Sequence, residues 1–238
     1  MFIGHFATVH PLRRWFPDTP IYVLTIGVGF LDIVFAVICA VWQAEGVTVD
    51  PSEGKLGVQL HCDYSHSLLG ALFFSTLYGF LAQLIVGGSN RQHFVAGFAA
   101  SFSHWLEDWL VHNHDLLLDP WSRVIIGGTL LWSKHPVFAT YAELLLAVAV
   151  GWWYVPDKER KNTYALVINV ILLVVFHYGN DVAFPRLATA SLMQPTADLQ
   201  SYGLAASMLF VFLTPAFILG WIFERRRQQQ SIPDKKKD

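Results

Sequence analysis

The sequence predicts an all-α fold: a polytopic transmembrane helical bundle of about six spanning helices plus a short N-terminal half-membrane helix. Three observations carry this. Hydrophobic residues make up 54% of the 238 and charged residues only 14%, a balance too apolar for an ordinary soluble domain. Six apolar runs, each bounded by charge or Pro, have the roughly 20-residue length that a helix needs to cross about 30 Å of hydrocarbon. Lys and Arg are also distributed unevenly between the two ends of those runs.

In chain order, residues 1–10 are too short to cross. A helix ending near Pro11–Arg14 carries His5 roughly 12–15 Å into the membrane. Such a helix is tolerated where it packs against protein or lines a polar cavity. Arg13, Arg14 and the Pro-rich Phe16-Pro17-Asp18-Thr19-Pro20 precede the first long apolar run. That order does not fit a cleavable signal peptide, so the first span is expected to be retained. The spans are expected at 21–43, 66–88, 92–112, 136–155, 162–183 and 203–223. Between them, segments 44–65, 113–135 and 184–202 are long, and turns 89–91 and 156–161 are short.

With the N-terminus inside, Arg13, Arg14, Arg91, the 158–161 cluster, Arg225–Arg227 and Lys235–Lys237 are cytoplasmic, twelve of the sixteen basic residues. Lys55, Arg123, Lys134 and Arg186 are outside. Both termini are therefore expected in the cytoplasm, and the long segments outside. Residues 1–224 read as one transmembrane domain, and 225–238 as a basic, disordered tail lying against anionic headgroups. No internal repeat is apparent, which argues against an inverted-repeat transporter. Cys39 and Cys62 give no disulfide framework, and the Trp residues read as interfacial.

Ionisable groups inside a span cost about 2.5–3.5 kcal/mol each, yet they cluster here in the outer halves of the helices. By helical rise, Asp32 lies roughly 16 Å deep, His104 roughly 12 Å, Glu143 and His177 roughly 10 Å and Asp108 roughly 6 Å, with His66 at the rim. His104, Asp108 and His112 are spaced four apart and share one helix face, a costly arrangement for mere interhelical glue. Asp32 and Glu143 read equally as polar packing or as function. His177 and Asp181 read as a self-satisfied pair.

Imidazoles mixed with carboxylates, without clustered thiolates, suit a divalent metal, Zn first and Mn or Fe(II) next. A metal also makes the buried carboxylates acceptable, and a metal with an open position supplies hydroxide for hydrolysis, with Glu143 or Asp115 as proton acceptor.

Gly4-His5-Phe6-Ala7, Leu31-Asp32, Asp63-Tyr64-Ser65-His66-Ser67-Leu68-Leu69 and Ser103-His104-Trp105-Leu106-Glu107-Asp108-Trp109-Leu110-Val111-His112, followed by Asp115-Leu116, resemble the motifs of the YdjM-type membrane-bound metal-dependent hydrolases. The order His5, Asp32, His66, His104, Asp108 is similar to the ligand order of the zinc-dependent phospholipase C group and its nuclease relatives. These resemblances imply a metal site of one or two ions held by His5, Asp32, His66, His104 and Asp108; the candidate catalytic groups of the whole reading are His112, Asp115 and Glu143. The second resemblance alone implies phosphoester substrates. Where the first family continues Asp-Leu-Pro-Leu, this chain has Asp115-Leu116-Leu117-Leu118.

The leading expectation is a metal-dependent hydrolase acting on a lipid or phosphoester at the outer leaflet, with membrane lipids and a small-molecule or lipid substrate as partners and no nucleic acid. The alternative is a transporter or permease that uses Asp32, His104, Asp108 and Glu143 for proton or divalent-ion coupling. A bis-His cytochrome needs fewer carboxylates, and the dense His boxes of a membrane di-iron oxygenase are absent.

Overall fold

The computed structural model describes residues 2–49, 58–87, 91–154 and 163–231. Among these, the helices are α1 (Ile3–Trp15), α2 (Ile21–Gly27), α3 (Phe30–Trp42), α4 (Leu68–Val86), α5 (Arg91–Trp109), α6 (Leu131–Lys134), α7 (Pro136–Tyr154), α8 (Thr163–Leu192) and α9 (Ala197–Ser231). Two small antiparallel hairpins join them: β1 (Gly46–Val49) with β2 (Val58–His61), and β3 (Leu116–Leu117) with β4 (Ile125–Gly127). Both hairpins lie in the long segments read from sequence as exoplasmic.

Among the described residues, helix lies within every expected span, but two helices are long and apolar enough to cross a membrane: α4 and the 197–225 part of α9. The run expected at 21–43 is not one rod. It breaks at Val28–Gly29 into α2 and α3, bent by 54°, and counts as a third crossing if the pair is one span. In α7, Pro136–Val150 forms a shorter apolar stretch. α9 continues to Ser231, so residues 225–231 of the tail expected to be disordered are helical; 232–238 lie outside the described residues.

Burial along α4 shows why apolarity here reports lipid. Leu69, Phe73, Leu77, Phe80 and Leu84, three or four apart, form an exposed apolar stripe, whereas the inward face carries Ala71, Ser75, Gly79 and Ala82. That inverts a soluble helix and matches membrane packing, in which small residues let backbones approach. α4 packs on α5 where Gly97 faces Gly79; a Cβ on Gly97 would stand 2.6 Å from the Ala82 Cβ and 3.2 Å from the Gly79 Cα. Ser75 Oγ donates to Ser101 Oγ across the same seam at 2.9 Å.

α1 sits in the middle of the molecule. It packs against α7, α5, α2 and α8, and Ile3, Phe6 and Val9 are fully enclosed. At thirteen residues it is about 20 Å long. It thus carries His5 into the interior with protein around it, the surroundings that a helix too short to cross requires.

Candidate metal centre

Four stretches of chain converge on one point. α1 supplies His5, the first turn of α3 supplies Asp32, the turn between β2 and α4 supplies His66, and α5 supplies His104 and, one turn later, Asp108. All five side chains are buried. They form two overlapping triads, His5–His104–Asp108 and Asp32–His66–His104, in each of which the donor atoms lie within 4.8 Å of one another.

His104 Nε2 is 3.2 Å from Asp32 Oδ2 and 3.2 Å from Asp108 Oδ2. His66 Nε2 is 3.6 Å from Asp32 Oδ1 and 3.7 Å from Asp108 Oδ2, and His5 Nε2 is 3.4 Å from Asp108 Oδ1. Two donors bound to one ion at about 2.0–2.2 Å and a tetrahedral angle are about 3.3–3.6 Å apart. Direct hydrogen bonds cluster closer, at about 2.7–3.2 Å. The His5 and His66 separations, 3.4–3.7 Å, stand near ligand spacing, and the two of His104, at 3.2 Å, at the border between the two ranges.

The ring hydrogens tell the same story. His104 Nδ1 is 2.7 Å from the Val28 carbonyl, an acceptor, so it carries the proton. His5 Nδ1 is 2.8 Å from the Glu107 carboxylate and donates to it. His66 Nδ1 is 2.7 Å from Ser65 Oγ, and that hydroxyl donates its own hydrogen to Glu45 Oε1 at 3.0 Å, so His66 Nδ1 is again the donor. In the neutral rings each Nε2 is therefore a bare lone pair turned inward. The two Nε2 atoms of His66 and His104 face each other at 3.3 Å, a repulsive approach unless a proton or a metal ion lies between them. An outward Nδ1–H held by a carboxylate or carbonyl, with Nε2 to the ion, is the usual arrangement of metal-binding histidines. The residues present fit a divalent ion.

The break between α2 and α3 frees an acceptor for this centre. α3 begins its hydrogen-bond ladder at the Gly29 carbonyl, which accepts from Ile33 N. The Val28 carbonyl is left for His104.

Beside the centre, His112 Nδ1 pairs with Asp115 Oδ1 at 2.6 Å, leaving its Nε2 for the cavity that His112 lines together with His5, Asp32, His66 and Asp108. The cavity leaves about 60 Å³ for the centres of water molecules. Glu143 is seated elsewhere. Its Oε1 accepts from Phe2 N and Gly4 N, satisfying the open first turn of α1, so the residue read as a proton acceptor instead anchors the helix that carries His5. The His177–Asp181 pair, 3.4 Å apart on α8, is separate from the centre.

Two side chains that the sequence reading leaves off the site support it. Glu107 holds His5 and also accepts from Thr8 Oγ1; its place between His104 and Asp108 is the available signal. Glu45 has none. Its Oε1 accepts from Tyr64 N at 2.8 Å, Ser65 N at 2.6 Å and Ser65 Oγ, which fixes the turn that presents His66.

Burial pushes the Glu45 carboxyl up to about 7 from 4.5, against the hydrogen bonds from Ser65 and Tyr64 that pull it down. Its folded pKa lies above its unfolded one, so the folded chain binds the extra proton between those values. The contribution of this group to stability is greatest at low pH and falls as pH rises through about 4.5 to 7. Glu45→Gln keeps an oxygen to accept the same three bonds and removes that slope. Melting in detergent should show the variant gaining on the wild type between pH 5 and pH 8; a difference that stays constant or runs the other way refutes the assignment.

Compared with protein-family models, curated proteins and solved structures, the chain matches none of them.

Proposed function

We propose that this protein is a membrane-embedded metal-dependent hydrolase, its ion held by His5, Asp32, His66, His104 and Asp108 and its cavity opening toward the outer leaflet of a six-span bundle with both termini in the cytoplasm. The observation that supports it best is the set of three imidazoles, each with its Nδ1 hydrogen spent outward and its Nε2 aimed at Asp108, with those of His66 and His104 also facing Asp32. The nitrogen and oxygen donor set favours zinc. The likeness of the motifs to the YdjM-type hydrolases supports the same reading.

A divalent ion at such a centre lowers the pKa of a water toward about 7 and polarises an oxygen of the bond to be cleaved. The chain's own residues supply the proton handling. His112 Nε2 takes the proton from the attacking water, and Asp115, hydrogen-bonded to Nδ1, orients the ring and stabilises the imidazolium. His112 then returns that proton to the leaving group. Asp32 and Asp108, 3.2 Å on either hand of His104 Nε2, neutralise the ion.

The transport reading ranks second. It needs carboxylates free to load and release protons or ions along a path, whereas Glu143, one of its four carriers, is engaged with the α1 backbone.

Removal of the metal tests the proposal. Protein purified from membranes in detergent should hold about one divalent ion per chain, lose it to dipicolinate, and lose hydrolysis of a panel of model esters and phosphoesters in parallel. Zinc should restore both. Hydrolysis unaffected in the metal-free protein, or metal-replete protein inert toward the whole panel, overturns it.

A further inference from the structure

The lining of the cavity divides by chemistry. One part is the metal centre with His112, which Asp115 backs. The other is apolar: Phe2, just before α1, Phe35 of α3, Phe184 of α8, and Met208 and Phe212 of α9. Four of these are aromatic and all are buried, so the wall has no use for a polar group but accommodates a hydrocarbon chain. Among the described residues, no Lys or Arg lines the cavity.

That absence bears on the headgroup. Sites that cleave phosphoesters surround the transferring group with Arg, Lys or several ions to meet its charge. Here two carboxylates, Asp32 and Asp108, balance one divalent ion, and a dianionic headgroup would face them without an added cation. A neutral carbonyl has no such conflict.

There is also a donor in place. Trp132 lines the cavity beside His112, with ring centroids 5.2 Å apart. Its Nε1 is buried, and no acceptor among the described residues reaches it. An indole N–H left buried and unpaired is destabilising, unless a ligand oxygen completes the bond.

Resting on the hydrolase reading above, we propose that the substrate is an uncharged acyl ester or amide, its chain along the wall of Phe35, Met208 and Phe212 and its carbonyl oxygen accepting from Trp132 Nε1. In the reaction, water oxygen bonds to the carbonyl carbon while His112 takes its proton. The hydrogen bond that Trp132 Nε1 donates strengthens as charge develops on the carbonyl oxygen. The C–O or C–N bond then breaks with the proton passing from His112 to the departing alcohol or amine, so that acid and alcohol or amine leave and no redox partner is needed.

Inert probes separate this from the activity itself. Zinc-loaded full-length protein in nanodiscs is titrated with decanoyl hydroxamate, decylphosphonate and acetohydroxamate, with binding read by calorimetry and metal content by elemental analysis. Decanoyl hydroxamate should bind at least about tenfold more tightly than the phosphonate of matched chain length, because the latter carries charge toward Asp32 and Asp108. Met208→Phe, which narrows the apolar end, should weaken decanoyl hydroxamate and leave acetohydroxamate unchanged. Trp132→Phe, which keeps the ring but removes the donor, should weaken both hydroxamates about 5- to 10-fold with full metal content.

Tighter binding of the phosphonate, or hydroxamate affinities indifferent to Trp132→Phe or Met208→Phe, overturns the substrate class while leaving the metal centre standing. Failure of acetohydroxamate to bind zinc-loaded wild type sinks the metal reading and this inference with it. Hydroxamate binding as expected in a protein that cleaves no ester or amide overturns the hydrolase reading, and with it the substrate assignment.

Discussion

His104→Ala is expected to remove the bound metal and hydrolysis together. His104 belongs to both triads, and its Nε2 stands 3.2–3.3 Å from Asp32, Asp108 and His66. No other group in the cluster reaches all three. Loss of outer residues that merely orient ligands lowers metal affinity about 10- to 100-fold. Loss of the shared ligand should exceed about 100-fold, which leaves the variant metal-free after dialysis.

The fold should survive. The ring is buried, but the α4–α5 seam and the packing of α9 on α2 and α3 lie elsewhere. The local cost is the cavity and the Val28 carbonyl left without its donor, about 2–5 kcal/mol for a large-to-small core change. Asp108→Asn sharpens the comparison. It preserves size and hydrogen-bonding capacity, so a cluster that is only polar packing would tolerate it, whereas a metal centre loses a charged ligand. Elemental analysis of wild type, His104→Ala and Asp108→Asn, with melting curves alongside, decides between them. Stoichiometric metal surviving in both variants would dismiss this centre.

How much of the centre is legible in the sequence depends on whether helical geometry alone fixes it. The spacing of His104 and Asp108 places both on one face of any helix, and both do converge. His5 follows from the requirement that a short N-terminal helix pack inward, and α1 does so. Glu143 is placed by depth, and depth alone cannot tell the centre from the nearby first turn of α1, which has its own unsatisfied N–H groups. Glu45 and the Val28 carbonyl are illegible for a different reason. One is twenty residues from the turn it braces, the other is backbone, and neither leaves a mark in composition.

The bundle shows the same division. Among the described residues, apolar runs locate helix within every expected span, because length and apolarity are what a run measures. They cannot show that 21–43 bends by 54°, although Gly27 and Gly29 flank the break. Nor can they show the hairpins, since Gly46–Val49 and Leu116–Leu117 are too short to display a period of two. The polar content of α5, which carries His93, His104, Glu107 and Asp108, is the cost of building a centre on a helix that the apolar run reads as a span.

Gly70→Ala should disable the centre from outside it. The reason is contact, since a methyl at this position in α4 would stand 1.8 Å from the Tyr64 carbonyl oxygen and 2.9 Å from Ser67 Oγ. An ordinary C···O contact is about 3.3 Å, so the Tyr64 backbone must retreat by roughly 1.5 Å. That backbone is held on several sides. Tyr64 N and Ser65 N donate to Glu45, His66 N donates to the Cys62 carbonyl at 2.9 Å, Trp105 Nε1 donates to the His66 carbonyl at 2.8 Å, and Leu69 N donates to the Leu118 carbonyl at 3.0 Å. Moving Tyr64 therefore breaks the Glu45 clasp and carries His66 with it.

Ligands must stay within about 0.5 Å of productive geometry, so the variant should bind zinc more than about 100-fold less tightly, with a lower melting temperature. Gly46→Ala is the control. Its Cβ meets nothing within 4 Å, and it should match the wild type in both measurements. Zinc affinity is read by competition with a chromophoric chelator in detergent. Wild-type affinity in Gly70→Ala would mean that the turn from Tyr64 to Ser67 does not set the position of His66, and Glu45 would then lose its role as the brace of that ligand.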